Sequence, residues 1–481
     1  MCGIAGIVGS VDQRRERVEA MLSALRHRGP DDQGIFEDKL VTLGNRRLAV
    51  IDTSPAGHQP MSNTGQTVWI VYNGEIYNFL EERQLLEQKG HQFRSHSDTE
   101  VVVAMYEEYG DAFLQRLRGM FALAIYDTRP GIGRERLLLA RDQLGIKPLL
   151  YTQQEDKLIF ASEIKAILAS GLVPRQLDLI AIQLLLVHGS ISQPLTAIQN
   201  VKMLLPGHYL VKEGQDIRIN RYWQLDPQRQ AGAVANRSYP ELVRMVREQL
   251  EETVRSQLVS DVPLGAFLSG GLDSSVLVAI MQKNSPSKIN TFSVGFESKG
   301  GGKDETDAAQ TIAQRIGTHH SRVVVSGEDL LKWLPDIIQA LDQPSVDGIN
   351  SYFVSKAARA TVTVAVSGTG GDELLAGYPW FINMQNWQLS QSSVLVRRWR
   401  QLCHWIAILP IWEIWWKGKV GRFISKLRGG HQFLPKFTRE YLIYPYYALR
   451  QLLSPRVQPL IYPLWDLVHF ITKQDELPTG S

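Results

Sequence analysis

The second half of this 481-residue chain predicts an α/β fold, a doubly wound parallel sheet, and two observations carry that prediction. From Leu264 to Val366, short apolar runs of strand length alternate with helical stretches. Two glycine-rich loops, Ser269–Ser275 and Ser367–Tyr378, directly follow two of those runs, at the carboxyl ends of strands where such sheets bind ligands.

The elements follow in order. Met1 to Gly9 is small and apolar, suited to a buried strand. Between Tyr222 and Tyr239 the chain is polar and without periodicity, which marks a linker. A helix then begins with capping-box spacing from Ser238 to Glu241, and Val243, Val246, Leu250, Val254 and Leu258 line one face of it. Leu264–Leu268 is a strand, Val276–Ile280 opens the helix after the first loop, and Ile289–Val294 is the next strand. A helix over Glu305–Ile316, a strand over Ser321–Val325, a further helical stretch and a strand over Thr361–Val366 complete the pattern.

Composition is that of a globular protein, 44% hydrophobic and 21% charged. Two cysteines, Cys2 and Cys403, give no disulfide framework, which suggests a reducing compartment and hence the cytoplasm. The N-terminus lacks the basic and apolar regions of a secretory signal. Phe381 to Ser481 holds 13 basic against 5 acidic residues and seven of the eleven tryptophans. Its most apolar segment, Leu402 to Trp416, is interrupted by His404, Pro410 and Glu413 and falls short of the ~20 residues that span a bilayer. No transmembrane segment and no nucleic-acid partner are expected. The tryptophans and arginines between Val394 and Lys419 admit a membrane or protein surface, or core residues of helices.

The loop Ser269-Gly270-Gly271-Leu272-Asp273-Ser274-Ser275 reads as a phosphate site. Paired glycines let backbone approach a ligand, serines donate hydroxyl hydrogen bonds, and a helix N-terminus aims amides and a positive dipole end at an anion. Asp273 makes sense there as a ligand of Mg²⁺ shared with the phosphates. No Gly-x-x-x-x-Gly-Lys-Ser/Thr string occurs in the chain. The heptad instead resembles the pyrophosphate-binding loop of ATP-using enzymes that form acyl-adenylates, and an activated acyl group needs a nucleophile. At the other end of the chain, Cys2 would carry both a thiol and a free α-amine once Met1 is removed. That amine titrates near pH ~8 and can act as the thiol's own general base. By itself Cys2 reads rather as a small buried hydrophobe that follows the initiator.

The surrounding motifs decide between those readings. Arg26-His27-Arg28-Gly29-Pro30-Asp31, Asn45 to Asp52, Gly57 to Met61 and Tyr72 to Asn78 come in an order similar to that of class II glutamine amidotransferases. Ser97 to Glu100, Arg118 to Ala122, Arg141 to Leu149 and Phe160 to Lys165 continue it. The resemblance implies an α+β N-terminal-nucleophile sandwich in which Cys2 attacks the side-chain amide of glutamine. It further implies that Asn73 and Gly74 form an oxyanion hole, that Arg47 clamps the substrate α-carboxylate, and that Glu75 and Asp98 receive its α-ammonium group.

With Thr291 to Phe296 and the loop Gly370-Gly371-Asp372-Glu373 added behind the heptad, the chain resembles the glutamine-hydrolysing asparagine synthetase family. That implies ATP bound by Leu268, Ser269, Gly270, Gly271, Asp273, Ser274, Ser275, Val294, Ser367 and Gly368, with Asp273 and Asp372 as ligands of Mg²⁺. Aspartate would be adenylated and ammonia delivered through an internal tunnel. The division expected is 1–212 for the amidotransferase domain, 213–237 for a linker, 238–380 for the ATP domain and 381–481 for a helical, basic C-terminal region.

Two features depart from the family pattern. Thr369 stands where relatives carry an acidic residue that manages the protons of incoming ammonia. The family's later motifs, with the lysine that neutralises pyrophosphate, are not found after Tyr378, so the chain reads as shortened at its C-terminus. The resemblance implies a homodimer, a contact that the shortening would remove, or a separate chain supplying the absent segment. The alternatives to asparagine synthesis are amidation of another carboxylate, or a protein retaining only glutaminase activity or ATP binding.

Overall fold

A computed structural model describes residues 1–130, 135–226, 231–297, 305–345 and 348–391. The chain divides into two compact units, Met1–Leu177 with Gln193–Gln343 and Asp347–Ser367, and Asp178–Ser192 with Pro344–Val346 and Gly368–Ser481.

The first unit begins with two six-stranded antiparallel sheets. Gly3–Val8, rich in small apolar residues and wholly buried, lies inside the first sheet. It pairs with Val41–Arg47 on one side and Lys157–Ala161 on the other. In the second sheet Val68–Ile76 pairs along its whole length with Gly119–Asp127. Side chains of both sheets, among them Ile4, Leu43, Val71, Tyr126, Leu139 and Phe160, form one core between them. The helices Arg14–Ala24 and Ile164–Ala169 share a second core with the outer face of the first sheet. Phe79–Gln88 and Asp98–Tyr109 do the same for the second sheet. The result is the α+β four-layer sandwich that the resemblance implies.

The second sheet continues beyond residue 212, where the amidotransferase domain was expected to end. Asp216–Arg221 pairs with His208–Glu213 through a tight hairpin. It is an edge strand, largely exposed, and its mostly polar sequence hides it from a search for apolar runs.

The expected doubly wound sheet follows in the same unit. Its four parallel strands are ordered His319–Val325, Asn290–Phe296, Leu264–Phe267 and Val364–Val366. Ala266 and Leu268 pack with Val278, Met281, Ala309 and Ala313 of the helices Leu272–Asn284 and Glu305–Ile316. Phe292 and Phe267 pack on the other face against Val354 and Ala358 of Gly348–Arg359. The capping box at the start of Tyr239–Ser256 is present, with Ser238 N donating to Glu241 at 2.8 Å. The last strand starts three residues later than Thr361, because Thr361 and Val362 still donate to Ala358 O and finish the preceding helix. Conversely, the strand expected at Ser321 starts at His319, whose N–H donates to Ile289 O at 2.9 Å.

In the second unit, Asp178 caps the helix Leu179–His188 through Ala181 N at 3.0 Å. The short helix Gly371–Leu375 and the helix Pro379–Gln391 lie further along the chain. The remainder of the helical region expected over 381–481, including Val394 to Lys419 and Cys403, lies outside the described residues. Among the described residues, no helix is long and apolar enough to cross a membrane.

Candidate active site

Cys2 immediately precedes the buried strand Gly3–Val8 and is half-buried. Its Sγ accepts from Leu48 N at 3.4 Å and lies 3.6 Å from Leu48 O. Its carbonyl accepts from Arg28 Nε at 2.9 Å. Arg28 in turn is held by Glu163, which accepts from Arg28 Nη1 at 2.8 Å and stands 3.0 Å from His27 Nε2. Burial pushes the Glu163 carboxyl up, but the hydrogen bonds from His27 and Arg28 outweigh it and hold the group at about 2. Glu163 therefore stays an anion and Arg28 stays fixed.

Arg47 ends the neighbouring strand and is buried. Its guanidinium donates to Ser54 O at 3.2 Å, to Ile51 O at 3.3 Å and to Asp52 O. The loop after the strand thus wraps this cation in backbone carbonyls.

Asn73, Gly74 and Glu75 follow one another on Val68–Ile76. Asn73 is 1% exposed, and neither its Nδ2 nor its Oδ1 has a hydrogen-bond partner among the described residues. A buried amide left unpaired costs roughly 1–3 kcal/mol, so the group calls for a partner, and a bound ligand is one that would complete it. Gly74 is required by close approach, since a Cβ there would meet Met120 O at 2.4 Å. Burial pushes the Glu75 carboxyl up to about 7 against the opposing pull of Lys147. Asp98 is buried and already engaged, accepting from Tyr72 Oη at 2.9 Å and Ile76 N at 3.0 Å through Oδ2. Burial raises it as well, those hydrogen bonds opposing.

Lys147 joins this group although its motif carries no implied role for it. It is 5% exposed, and burial lowers its pKa while the charges of Glu75 and Cys2 raise it. Its Nζ lies 3.2 Å from Met1 Sδ. With Met1 in place, burial pushes the terminal amine down to about 5, and the charges acting on it are those of Cys2, Arg28, Lys147 and Glu75. Met1 therefore shares the surroundings of Cys2. The signal that would have found Lys147 is a lysine in the otherwise apolar string Leu144 to Leu150.

The heptad sits between Leu264–Phe267 and Leu272–Asn284. Gly270 has φ +84°, a left-handed turn that favours glycine. Ser269 Oγ accepts from Gly271 N at 3.3 Å and lies 3.1 Å from Ser274 Oγ, while Ser274 and Ser275 donate to Gly271 O at 3.2 and 2.6 Å. Asp273 is in the first turn of the helix and half-buried. Leu268 is buried, Val294 half-buried on the adjacent strand, and Ser367 follows the strand Val364–Val366. In the second unit Gly368 O accepts from Gly371 N at 3.2 Å, and Asp372 O accepts from Gly377 N at 2.9 Å. Among the described residues, no three His, Cys, Asp or Glu side chains cluster as a metal site.

A four-layer sandwich with a thiol at the head of an inner strand defines an N-terminal-nucleophile architecture, here followed in the chain by a doubly wound parallel sheet. A family model described as "Glutamine amidotransferase domain" matches residues 1–223, and one described as "Asparagine synthase" matches residues 245–424. The chain is 38% identical over 386 residues to asparagine synthetase [glutamine-hydrolyzing] 1 of Bacillus subtilis, covering 79% of this chain and 59% of that one. It is 34% identical over 409 residues to a putative asparagine synthetase [glutamine-hydrolyzing] 2 of Methanocaldococcus jannaschii, covering 80% and 76%. Amidase chry2 of Gibberella zeae is 32% identical over 413 residues, covering 79% and 60%. The chain belongs to the glutamine-hydrolysing asparagine synthetase family. It spans about three-fifths of the length of the Bacillus relative.

Proposed function

We propose that the chain hydrolyses glutamine at Cys2 and transfers the ammonia to a carboxylate activated as an acyl-adenylate by ATP, with the aspartate side chain as acceptor. The observation that carries the glutaminase step is the buried amide of Asn73, unpartnered among the described residues. It lies on the strand that also supplies Glu75, whose charge acts on the amine next to Cys2. Once Met1 is removed, the Cys2 amine takes the thiol proton. The thiolate attacks the amide carbon, and Asn73 Nδ2 with the Gly74 N–H stabilises the charge on oxygen. The amine returns that proton to the departing nitrogen, ammonia leaves as the C–N bond breaks, and water cleaves the thioester. Arg47 holds the substrate carboxylate with donors beyond those spent on the Ile51–Ser54 loop, and Glu75 and Asp98 provide negative charge for its ammonium group.

ATP is assigned to the heptad. The left-handed Gly270, the helix N-terminus after Gly271 and the hydroxyls of Ser269, Ser274 and Ser275, the last two once turned away from Gly271 O, form a donor set suited to phosphates. Bound ATP supplies the adenylyl group that activates the acceptor. Leu268 and Val294 supply apolar surface for the base, and Ser367 and Gly368 are the further residues that the sequence offers. Mg²⁺ is assigned to Asp273 at this loop, and Asp372 is the second carboxylate that the sequence offers. The domain division proposed remains an amidotransferase part, a linker and an ATP part, in a cytoplasmic protein.

A second reading, amidation of another carboxylate, is favoured by Thr369 and by the similarity to a protein named as an amidase. ATP/pyrophosphate exchange across a panel of carboxylates, with and without glutamine, separates the two. Exchange that depends on aspartate supports asparagine synthesis, and exchange with a different carboxylate supports the second reading. Ammonia release from glutamine with no exchange at all would leave a glutaminase alone.

A further inference from the structure

Two acidic residues from the ATP side of the first unit are seated on the two segments that hold the candidate glutamine site. Asp261, three residues ahead of the strand Leu264–Phe267, accepts from Asp52 N through Oδ2 at 2.8 Å, and its own N–H donates to Val50 O at 2.9 Å. Asp52 is in the left-handed region at φ +54°, a conformation supported locally by its own carboxylate, which accepts from Ser54 N at 3.1 Å. Its carbonyl is one of the three that wrap the Arg47 guanidinium. Asp261 thus fixes the turn that aims Arg47.

Asp342 lies just past the helix Gly327–Ala340. Its two carboxylate oxygens accept from Ile164 N at 2.6 Å and Lys165 N at 3.0 Å. The residue directly before these donors is Glu163, which holds Arg28, which holds the Cys2 carbonyl. The second contact therefore ends on the nucleophile, as the first ends on the substrate clamp. A third contact nearby, Ala197 N to Gln343 Oε1 at 3.1 Å, leads to neither.

We propose that Asp261 and Asp342 are positioning residues through which the ATP side sets the glutamine site, Asp261 acting on glutamine affinity through Arg47 and Asp342 on nucleophile competence through Glu163 and Arg28. The inference rests on the glutaminase reading. It has a signature that a general contribution to folding lacks, because the two residues act on different kinetic constants.

The test uses the full chain and its Asp261→Ala, Asp342→Ala and Gln343→Ala variants. Steady-state glutamine hydrolysis is measured together with the alkylation rate of Cys2 by iodoacetamide, read by mass spectrometry on the Cys2 peptide. Asp261→Ala should raise KM for glutamine about five- to tenfold with kcat within about twofold. Asp342→Ala should lower kcat and slow Cys2 alkylation about ten- to a hundredfold with KM nearly constant. Gln343→Ala should change neither. Parallel shifts of KM and kcat in all three variants, or no shift in the two aspartate variants, would overturn the proposal. If the parent chain releases no ammonia from glutamine, the glutaminase reading falls by itself. An unchanged Cys2 alkylation rate in Asp342→Ala then overturns the Asp342 assignment independently.

Discussion

Leu48 donates its backbone N–H to Cys2 Sγ at 3.4 Å, and Leu48 is the residue directly after Arg47. The proposed nucleophile and the proposed carboxylate clamp are therefore set by one strand end, and a shift of that strand would move both. The antiparallel register Gly3↔Arg46 fixes this alignment.

The first prediction concerns Met1. Its amine and sulfur share the space around Cys2 and Lys147, and while it remains, Cys2 has no free α-amine. A chain with an uncleavable extension ahead of Cys2 should release ammonia from glutamine about 10²- to 10⁴-fold more slowly than the processed chain, the range associated with loss of a general base. Intact-mass measurement of the N-terminus alongside the assay checks this.

Asn73→Ala should separate rate from stability. Its amide makes no hydrogen bond among the described residues, so its removal should cost little in folding, and thermal unfolding should shift by only a few degrees. Loss of an oxyanion donor should lower kcat for glutamine about 10²- to 10³-fold with KM nearly unchanged. A large fall in Tm would contradict the role.

Glu75 predicts a pH dependence. Burial raises its carboxyl to about 7, so below pH 7 the group is neutral and attracts the substrate ammonium less. KM for glutamine should rise as pH falls through 7, by up to about tenfold per unit. Glu75→Gln should flatten that profile. Because its folded pKa lies above the unfolded value of 4.5, this residue opposes folding increasingly as pH rises from about 4.5 to 7. The same variant should therefore be the more stable protein at pH 8.

Gly270→Ala tests the heptad. Alanine at φ +84° is strained by about 1–2 kcal/mol, and relief of that strain would re-aim the serine hydroxyls and the first helical amides. ATP/pyrophosphate exchange should fall at least about tenfold, while glutamine hydrolysis measured without ATP stays within about twofold. Equal losses of both activities would show that the loop has a wider role than phosphate binding.

Local pattern made much of this molecule legible. The apolar run before Ser269 and the apolar stretch after Ser275 mark a strand-turn-helix unit, and the helix Glu305–Ile316 has the bounds its periodicity predicts. Cys2, Arg47 and Asn73 were nameable because they sit in dense motifs. Other features depend on distant partners that no window of sequence contains. Asp342 bonds to residues 178 and 177 positions away, and Asp342 in the sequence is only an acid near a proline. The unpaired state of Asn73 follows from what packs around it. The exposed strand Asp216–Arg221 was missed because edge strands need no apolar face.

The inner position of Gly3–Val8 has a consequence for synthesis of the chain. One edge of this strand is covered by Val41–Arg47, but the other awaits Lys157–Ala161, and Ile4 N waits for Ser162 Oγ, 3.0 Å away in the finished protein. Gly3–Val8 precedes both partners in the sequence, so the strand closes on both sides only after Lys157–Ala161 has been made. A nascent chain halted before that point would carry the Cys2 thiol at the head of a strand with one edge still open.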